Sequence, residues 1–349
     1  MIRVLIVEDS PTVCLLLKSI LDSDPDITVI DTASSGEEGL RKTLALNPDL
    51  VTMDVHMPGI DGFETTRRIM AQTPKPIIIV TGSIDPREVK LSFHALEAGA
   101  LAVVEKPSGP GSPKFQHDAK ELIKAVKLMA DVKVVGQRLS SRPQRPVAVS
   151  IRPKPVGQID LIAIGASTGG PAALFTVLNG LPLNFPVPLL IVQHISLGFD
   201  VGLAEWLSST TRHGVTLARD GQLLAAGQVL IAPQGTHLGV NGTKRVLLDA
   251  RTDAIGSFRP SVTYLFESVA RVYGSRAVGV ILTGMGMDGA AGLPAFHEAG
   301  GYIIAQDEAS SVVYGMPRTA VATGVVDQVL PLNRIASTLS VLLQMENNP

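Results

Sequence analysis

The stretch LIAIGASTGGP, residues 161–171, runs from an apolar segment into a glycine-rich turn and then into a proline. The apolar run reads as a buried strand. Pro171 suits the first turn of a helix, where its missing N–H costs nothing. Strand, tight turn and helix in succession predict an α/β fold. Ser167 lies inside the turn and satisfies G-x-S-x-G, the pattern of a nucleophile elbow. A helix N-terminus with free N–H groups would also suit a phosphate, and a tight turn need carry no chemistry. The dinucleotide signature G-x-G-x-x-G is absent, because Ser167 occupies its second glycine position.

The same rhythm recurs on both sides of this stretch. Short runs rich in Val and Ile stand at 2–7, 27–31, 50–54, 76–82 and 100–106, each followed by a polar or glycine-rich turn. Strands alternating with helices imply βαβ units and a parallel sheet. Five strands in this length predict a flavodoxin-like domain over 1–128. The segment 129–157 breaks the pattern with four prolines, several Arg and Lys, and little periodicity, and it reads as a basic linker. Strand-like runs resume with DLIAIGA, VPLLIVQH, QVLIAP, RVLLD, AVGVILTG and GYIIAQD. They predict a larger, doubly wound, mostly parallel α/β domain over 158–349.

Composition bounds the function. The chain has 349 residues, 45% of them hydrophobic and 18% charged, in the range of a globular α/β protein. A net charge of -2 gives no reason to expect nucleic-acid or membrane binding. A single cysteine, Cys14, excludes an intrachain disulfide or a cysteine metal cluster, and its helical run TVCLLLKSIL reads as core. No signal-peptide pattern and no bilayer-length apolar segment is seen, so a cytoplasmic location is expected.

Five polar residues stand at the predicted strand ends of the first domain. Glu8 and Asp9 follow the first strand, Asp54 the third, Thr81 the fourth and Lys106 the fifth. Parallel sheets bind ligands at that carboxyl edge. A single acid there is usually a helix cap. Three clustered carboxylates instead repel one another unless a cation is present, and hard oxygen ligands suit Mg²⁺. A carboxylate can attack phosphorus, while a lysine and a hydroxyl can hold the phosphoryl oxygens.

VLIVEDS, DVHMPGIDG, VTGS and EKPSGPGSP resemble the receiver domain of two-component response regulators. The resemblance implies that a histidine kinase phosphorylates Asp54. It implies Mg²⁺ held by Glu8, Asp9, Asp54 and the backbone carbonyl of His56, with Thr81 and Lys106 on the phosphoryl group. Glu8 stands where Asp is commoner, and Val103 where many receivers have an aromatic switch residue.

The second domain is then the output. A DNA-binding effector would be small, basic and helical; this one is Gly-rich and strand-rich, and reads as an enzyme. A nucleophilic Ser167 needs a base. His194 ends VPLLIVQH, at the same predicted sheet edge as Ser167, whereas His213, His237 and His297 do not end strands. A third group must orient the imidazole. Asp288, just beyond AVGVILTG, competes with Asp307 at the end of GYIIAQD and, more weakly, with Asp249 after RVLL. Glycines flanking Asp288 favour it. The order Ser, His, Asp differs from that of α/β-hydrolases.

IGASTGGP, QHI, VLIAPQGTHL, FRPSV, LTGMGMDGA and DEASSVVYGMPRTA resemble the chemotaxis receptor methylesterases, the CheB family, in order along the chain. The resemblance implies hydrolysis of glutamyl methyl esters on chemoreceptor cytoplasmic helices, with release of methanol, and also glutamine deamidation. It assigns Ser167 as nucleophile, His194 as base and Asp288 as orienting acid, with backbone N–H groups of Thr168 and Met285 as oxyanion donors. It implies no cofactor in the hydrolase site. Its partners would be a chemoreceptor and a chemotaxis histidine kinase, with no nucleic acid and no membrane insertion. It further implies that the unphosphorylated receiver restrains the esterase. The competing expectation is a receiver with a nucleotide-binding or non-catalytic binding output.

Overall fold

Continuous apolar strands have no polar face, so they require a sheet covered by helices on both sides. Leu161–Ala166, Leu189–Gln193 and Ala277–Ile281 are buried at every position. The computed structural model describes residues 1–82, 86–130, 132, 134, 158–196 and 198–344. Two units separate, Met1–Arg145 and Pro146–Pro349. Apart from 129, 130, 132 and 134, the linker expected over 129–157 lies outside the described residues.

The first unit runs β1 (Ile2–Val7), α1 (Pro11–Leu21), β2 (Ile27–Ala33), α2 (Gly36–Leu46), β3 (Leu50–Met53), α3 (Gly62–Gln72), β4 (Ile77–Thr81), α4 (Pro86–Glu97), β5 (Ala102–Glu105) and α5 (Phe115–Ala130). Its five strands are ordered β2-β1-β3-β4-β5 and every pairing is parallel. This is the flavodoxin-like order, with ligand sites at the carboxyl ends of the strands. Ser10, Ser35 and Asp61 cap α1, α2 and α3 through their side-chain oxygens, so each helix starts one short turn after its strand or loop.

The second unit begins with β6 (Leu161–Ala166), α6 (Gly170–Gly180), β7 (Leu189–Gln193) and α7 (Asp200–Thr210). Four strands follow: β8 (Val215–Leu217), β9 (Val229–Ile231), β10 (His237–Asn241) and β11 (Arg245–Asp249). Then come α8 (Val262–Tyr273), β12 (Ala277–Ile281), α9 (Leu293–Glu298), β13 (Tyr302–Gln306), α10 (Met316–Ala322), β14 (Gln328–Leu330) and α11 (Leu332–Gln344). Seven strands form one sheet in the order β14-β13-β12-β6-β7-β9-β8, parallel at every pairing. The hairpin β10–β11 is antiparallel and stands apart. The RVLLD run is therefore a strand, as expected, but of this separate hairpin, and Asp249 is not at the carboxyl edge of the seven-stranded sheet. Beta8, β10 and β14 escape the sequence pattern because they are short or carry polar ends.

Helix α8 packs against β6, β12 and the β10 strand of the hairpin. Its Val262, Leu265, Phe266 and Val269 join Leu161, Ala163, Val192, Leu238 and Val246 in one buried cluster. Each such side chain contributes about 1.5–3 kcal/mol of burial. Two glycines let α8 come this close. A Cβ on Gly165 would lie 2.2 Å from Val262 Cγ1, and one on Gly289 would lie 2.7 Å from the same atom. Among the described residues no helix is long and apolar enough to cross a membrane.

Candidate active site

Three adjacent central strands, in the order β12-β6-β7, deliver the three residues expected to act together. The register of β6 and β7 pairs Ala166 with Gln193, so Ser167 and His194 each stand one residue past that rung. The His194 N–H donates to the Ala166 carbonyl at 3.0 Å, and the Ser167 N–H donates to the Thr283 carbonyl at 3.1 Å. These bonds extend the sheet one step and fix the backbone of both residues. Gly169 then turns the chain at φ +76°, where a Cβ would also meet Val312 at 2.6 Å. Helix α6 starts at Gly170 with Pro171 in its first turn, as the sequence predicts.

Asp288 arrives from the loop after β12. Its Oδ2 lies 2.9 Å from His194 Nε2 and accepts the Val262 N–H at 2.7 Å. Its Oδ1 accepts the Ser261 hydroxyl at 2.8 Å and the Thr263 N–H at 3.1 Å. The carboxylate thus sits on the N-terminus of α8, where unpaired N–H groups and the helix dipole favour a negative charge. Burial alone would raise its pKa. The hydrogen bond and charge of His194, with the bonds from Val262 and Ser261, outweigh burial and hold it at about 2.

The bond through Nε2 decides which nitrogen of His194 is left. Nδ1 is buried and has no hydrogen-bond partner among the described residues. In the chymotrypsin arrangement the acid takes Nδ1 and leaves Nε2; here Asp288 takes Nε2 and leaves Nδ1. Phe258 stacks on the imidazole at 3.8 Å with 5° between the planes, which fixes the ring's tilt and covers one face.

The loop carrying Met285 reaches the serine because Gly284 has no side chain. A Cβ there would lie 2.7 Å from Ser167 Cβ and 2.4 Å from Met316 Sδ. Thr283 Oγ1 donates to the Thr168 carbonyl at 3.0 Å, tying the two loops together. Among the described residues neither the Thr168 nor the Met285 N–H donates to a backbone carbonyl.

The rival residues have other partners. Asp307 Oδ1 accepts the Ser310 N–H at 3.0 Å and the Ser310 hydroxyl at 2.6 Å, closing a local turn. Asp249 binds Thr252 and accepts the Tyr264 hydroxyl at 3.0 Å. His213 contacts the Leu178 carbonyl at 3.0 Å, and His237 contacts the Asp253 carbonyl at 3.0 Å and the Ser261 N–H at 3.2 Å. Both are buried, and His297 is exposed on α9. Phe258, Ser261 and Thr283 were not singled out in the sequence. Phe258 and Ser261 lie in FRPSV, a motif without chemistry in itself.

In the first unit, Glu8, Asp9 and Asp54 present carboxylate oxygens within 4.8 Å of one another. Lys106 Nζ lies 2.8 Å from Glu8 Oε2 and 2.9 Å from Asp54 Oδ2, and the Lys106 N–H donates to the Thr81 carbonyl at 2.7 Å. Burial raises the Glu8 carboxyl pKa against the pull of Lys106, with Asp54 adding to the rise. Burial would lower the Lys106 pKa, but the bonds to Glu8 and Asp54 carry it upward. The set is all-oxygen and anionic, which fits a hard divalent cation.

The family model of the CheB methylesterase matches residues 162–339, and that of the response regulator receiver domain matches 4–112. The protein-glutamate methylesterase/protein-glutamine glutaminase 4 of Myxococcus xanthus is 47% identical over 97% of this chain and 96% of its own. The protein-glutamate methylesterase/protein-glutamine glutaminase 3 of Anaeromyxobacter dehalogenans is 49% identical over 99% of this chain and all of its own. The crystal structure of the Thermotoga maritima CheB methylesterase catalytic domain superposes with a TM-score of 0.51 at 39% identity, covering 54% of this chain and all of that one.

Proposed function

The chain belongs to the CheB methylesterase family, with a response regulator receiver domain in front, and from that premise we propose that Ser167, His194 and Asp288 form its hydrolytic triad. The protein is a protein-glutamate methylesterase and protein-glutamine glutaminase of chemotaxis adaptation. The observation that carries the residue assignment is the 2.9 Å contact of His194 Nε2 with Asp288, which leaves a buried, unpaired Nδ1 on a residue whose backbone N–H bonds Ala166, the neighbour of Ser167.

Ser167 Oγ attacks the ester carbonyl carbon while its proton passes to His194 Nδ1. Asp288, charged throughout, keeps the proton on Nε2 before attack and stabilises the imidazolium after it. The Thr168 and Met285 N–H groups take the oxyanion. Collapse breaks the bond to methoxide, which leaves as methanol with the proton from Nδ1. Water then attacks the acyl-serine, giving a proton to Nδ1; the acyl–Oγ bond breaks, Nδ1 returns that proton to Ser167 Oγ, and the glutamyl carboxyl group is released. A glutamine side chain follows the same course with ammonia as leaving group.

In the receiver, residues 1–128, Asp54 is the phosphoacceptor. Glu8, Asp9, Asp54 and the His56 carbonyl would hold Mg²⁺, which neutralises phosphoryl oxygens when bound. Thr81 and Lys106 contact the phosphoryl group. The substrate is a chemoreceptor and the phosphodonor a histidine kinase; the compartment in which both meet this chain is the cytoplasm. Phosphorylation of Asp54 raises the activity of the esterase, residues 158–349. The deciding experiment is methanol release from a methylated receptor by the full chain, with and without a phosphodonor and Mg²⁺. Wild type is active and stimulated; Ser167→Ala is inactive; Asp54→Ala is active and unstimulated. Methanol release by Ser167→Ala at the wild-type rate would refute the assignment.

A further inference from the structure

Strand β7 is apolar from Leu189 to Val192, with each side chain fully buried, and then ends in a buried amide, Gln193. Gln193 is only 2% exposed. A buried amide among apolar groups is costly unless its hydrogen-bonding capacity is used. Its Nε2 donates to the Ser167 carbonyl at 2.7 Å and to the His194 carbonyl at 2.8 Å. Both acceptors are backbone oxygens, so the nitrogen must point at them, and both of its hydrogens are used. One side-chain group therefore clamps the backbones of the nucleophile and the base.

The other end of the amide is held by an absence. Gln193 Oε1 is buried without a hydrogen-bond partner among the described residues. A Cβ on Gly170 would stand 2.0 Å from this Oε1 and 2.9 Å from the Ala166 Cβ. The Gly170 N–H meanwhile donates to the same Ser167 carbonyl that Gln193 binds, at 2.8 Å. Gly170 thus makes room for the amide and shares its target.

We infer that Gln193 is a positioning residue for the hydrolysis: its amide sets the gap between Ser167 and His194, and Gly170 leaves the space that holds the amide in place. This rests on the triad proposed above. Gln193 touches no substrate, so its loss acts on the chemical step and not on receptor binding. A small misplacement of reacting groups can cost about 100-fold in rate.

The test uses the full chain and four variants: Gln193→Leu, which keeps the volume and removes both donors; Gly170→Ala, which pushes the amide aside; the double variant carrying both; and Ser167→Ala. Methanol release gives kcat and KM, a serine-directed fluorophosphonate reports Ser167 reactivity, and thermal unfolding reports folding. Gln193→Leu and Gly170→Ala are each expected to lower kcat and the fluorophosphonate rate together by about 10- to 100-fold, with KM within about twofold of wild type. The double variant is expected to be no worse than the poorer single one, because both act through one amide. If Gln193→Leu does not fold, Gly170→Ala carries the same expectation. Wild-type kcat per folded molecule in either variant, or a loss that falls on KM, overturns the inference while leaving the triad intact. Activity retained by Ser167→Ala overturns the triad, and the role of Gln193 with it.

Discussion

Asp288 accepts one hydrogen bond from His194 Nε2, at 2.9 Å, yet is held mainly by another element: Ser261 Oγ, the Val262 N–H and the Thr263 N–H at the start of α8 lie 2.7–3.1 Å from its oxygens. The proposed orienting acid is thus anchored mainly by a helix N-terminus, with one further bond, from the Gly289 N–H of its own loop at 2.9 Å. These bonds add to the hydrogen bond and charge of His194 in favouring the carboxylate.

Against burial, the bond and charge of His194, with the bonds from Val262 and Ser261, set the pH behaviour of Asp288. The folded pKa of Asp288, about 2, lies below its ordinary value of 3.8. The linked stability is therefore fully present above about pH 4 and is lost as pH falls toward 2. In a pH profile of kcat, Asp288 should add no ionisation step above pH 4. Asp288→Asn should keep the fold and lower kcat by about 10³- to 10⁴-fold, through loss of tautomer control and imidazolium stabilisation. Both are read from steady-state methanol release across pH. A kcat loss under tenfold would contradict the role.

Ser261 serves Asp288 and α8 at once. Its Oγ donates to Asp288 Oδ1 at 2.8 Å and accepts the Tyr264 N–H at 3.4 Å as the helix cap. Ser261→Ala should cost about 1–2 kcal/mol of stability in denaturant unfolding. It should also shift the Asp288 pKa upward and lower kcat less than Asp288→Asn does. Asp307→Asn is the matching control. Its Oδ1 serves only the Ser310 turn, at 3.0 and 2.6 Å, and Asn keeps that acceptor. Activity should stay within about twofold of wild type, a change on the order of 0.5 kcal/mol.

Gly165→Ala tests how the site depends on helix packing. The added Cβ would fall 2.2 Å from Val262 Cγ1, in a fully buried interface. Overpacking of this kind costs about 1–3 kcal/mol. Because Val262 also donates to Asp288, the displaced helix should reduce kcat in the folded fraction as well. Thermal unfolding alongside kcat per folded molecule separates the two effects. Unchanged values in both would mean that α8 can retreat without disturbing Asp288.

The positions of Ser167 and His194 are legible in the sequence because apolar runs mark strands, and parallel strands bring their carboxyl ends together. Asp288 and Asp307 are not distinguishable on that basis, since both follow apolar strands. What separates them is the turn that occupies Asp307 and the helix N-terminus that receives Asp288. Which imidazole nitrogen meets Asp288 is likewise invisible, because a ring's orientation depends on where α8 and Phe258 pack. RVLLD has a strand's composition, yet it pairs in a hairpin because its partner, β10, is a neighbour in sequence. Gln193 escapes notice as well, since its bonds are to backbone atoms of Ser167 and of the adjacent His194.

The receiver's chemistry should be separable from the esterase by removing divalent cations. Glu8, Asp9 and Asp54 carry oxygens within 4.8 Å of one another, with Lys106 the cation bound to two of them. The hydrolytic step proposed for Ser167 uses only protein groups, so EDTA should leave basal methanol release within about twofold. The same treatment should abolish phosphoryl incorporation from a small-molecule phosphodonor and the stimulation that follows, and added Mg²⁺ should restore both. Lys106→Met removes the cation that offsets the acidic cluster and that is proposed to contact the phosphoryl group. It should leave basal turnover intact while weakening stimulation by phosphodonor. Radiolabel incorporation measured beside methanol release distinguishes failure to phosphorylate from failure to respond. If EDTA abolished basal turnover of the Asp54→Ala variant, the esterase itself would depend on a metal, and the assignment of Mg²⁺ to the receiver alone would fail.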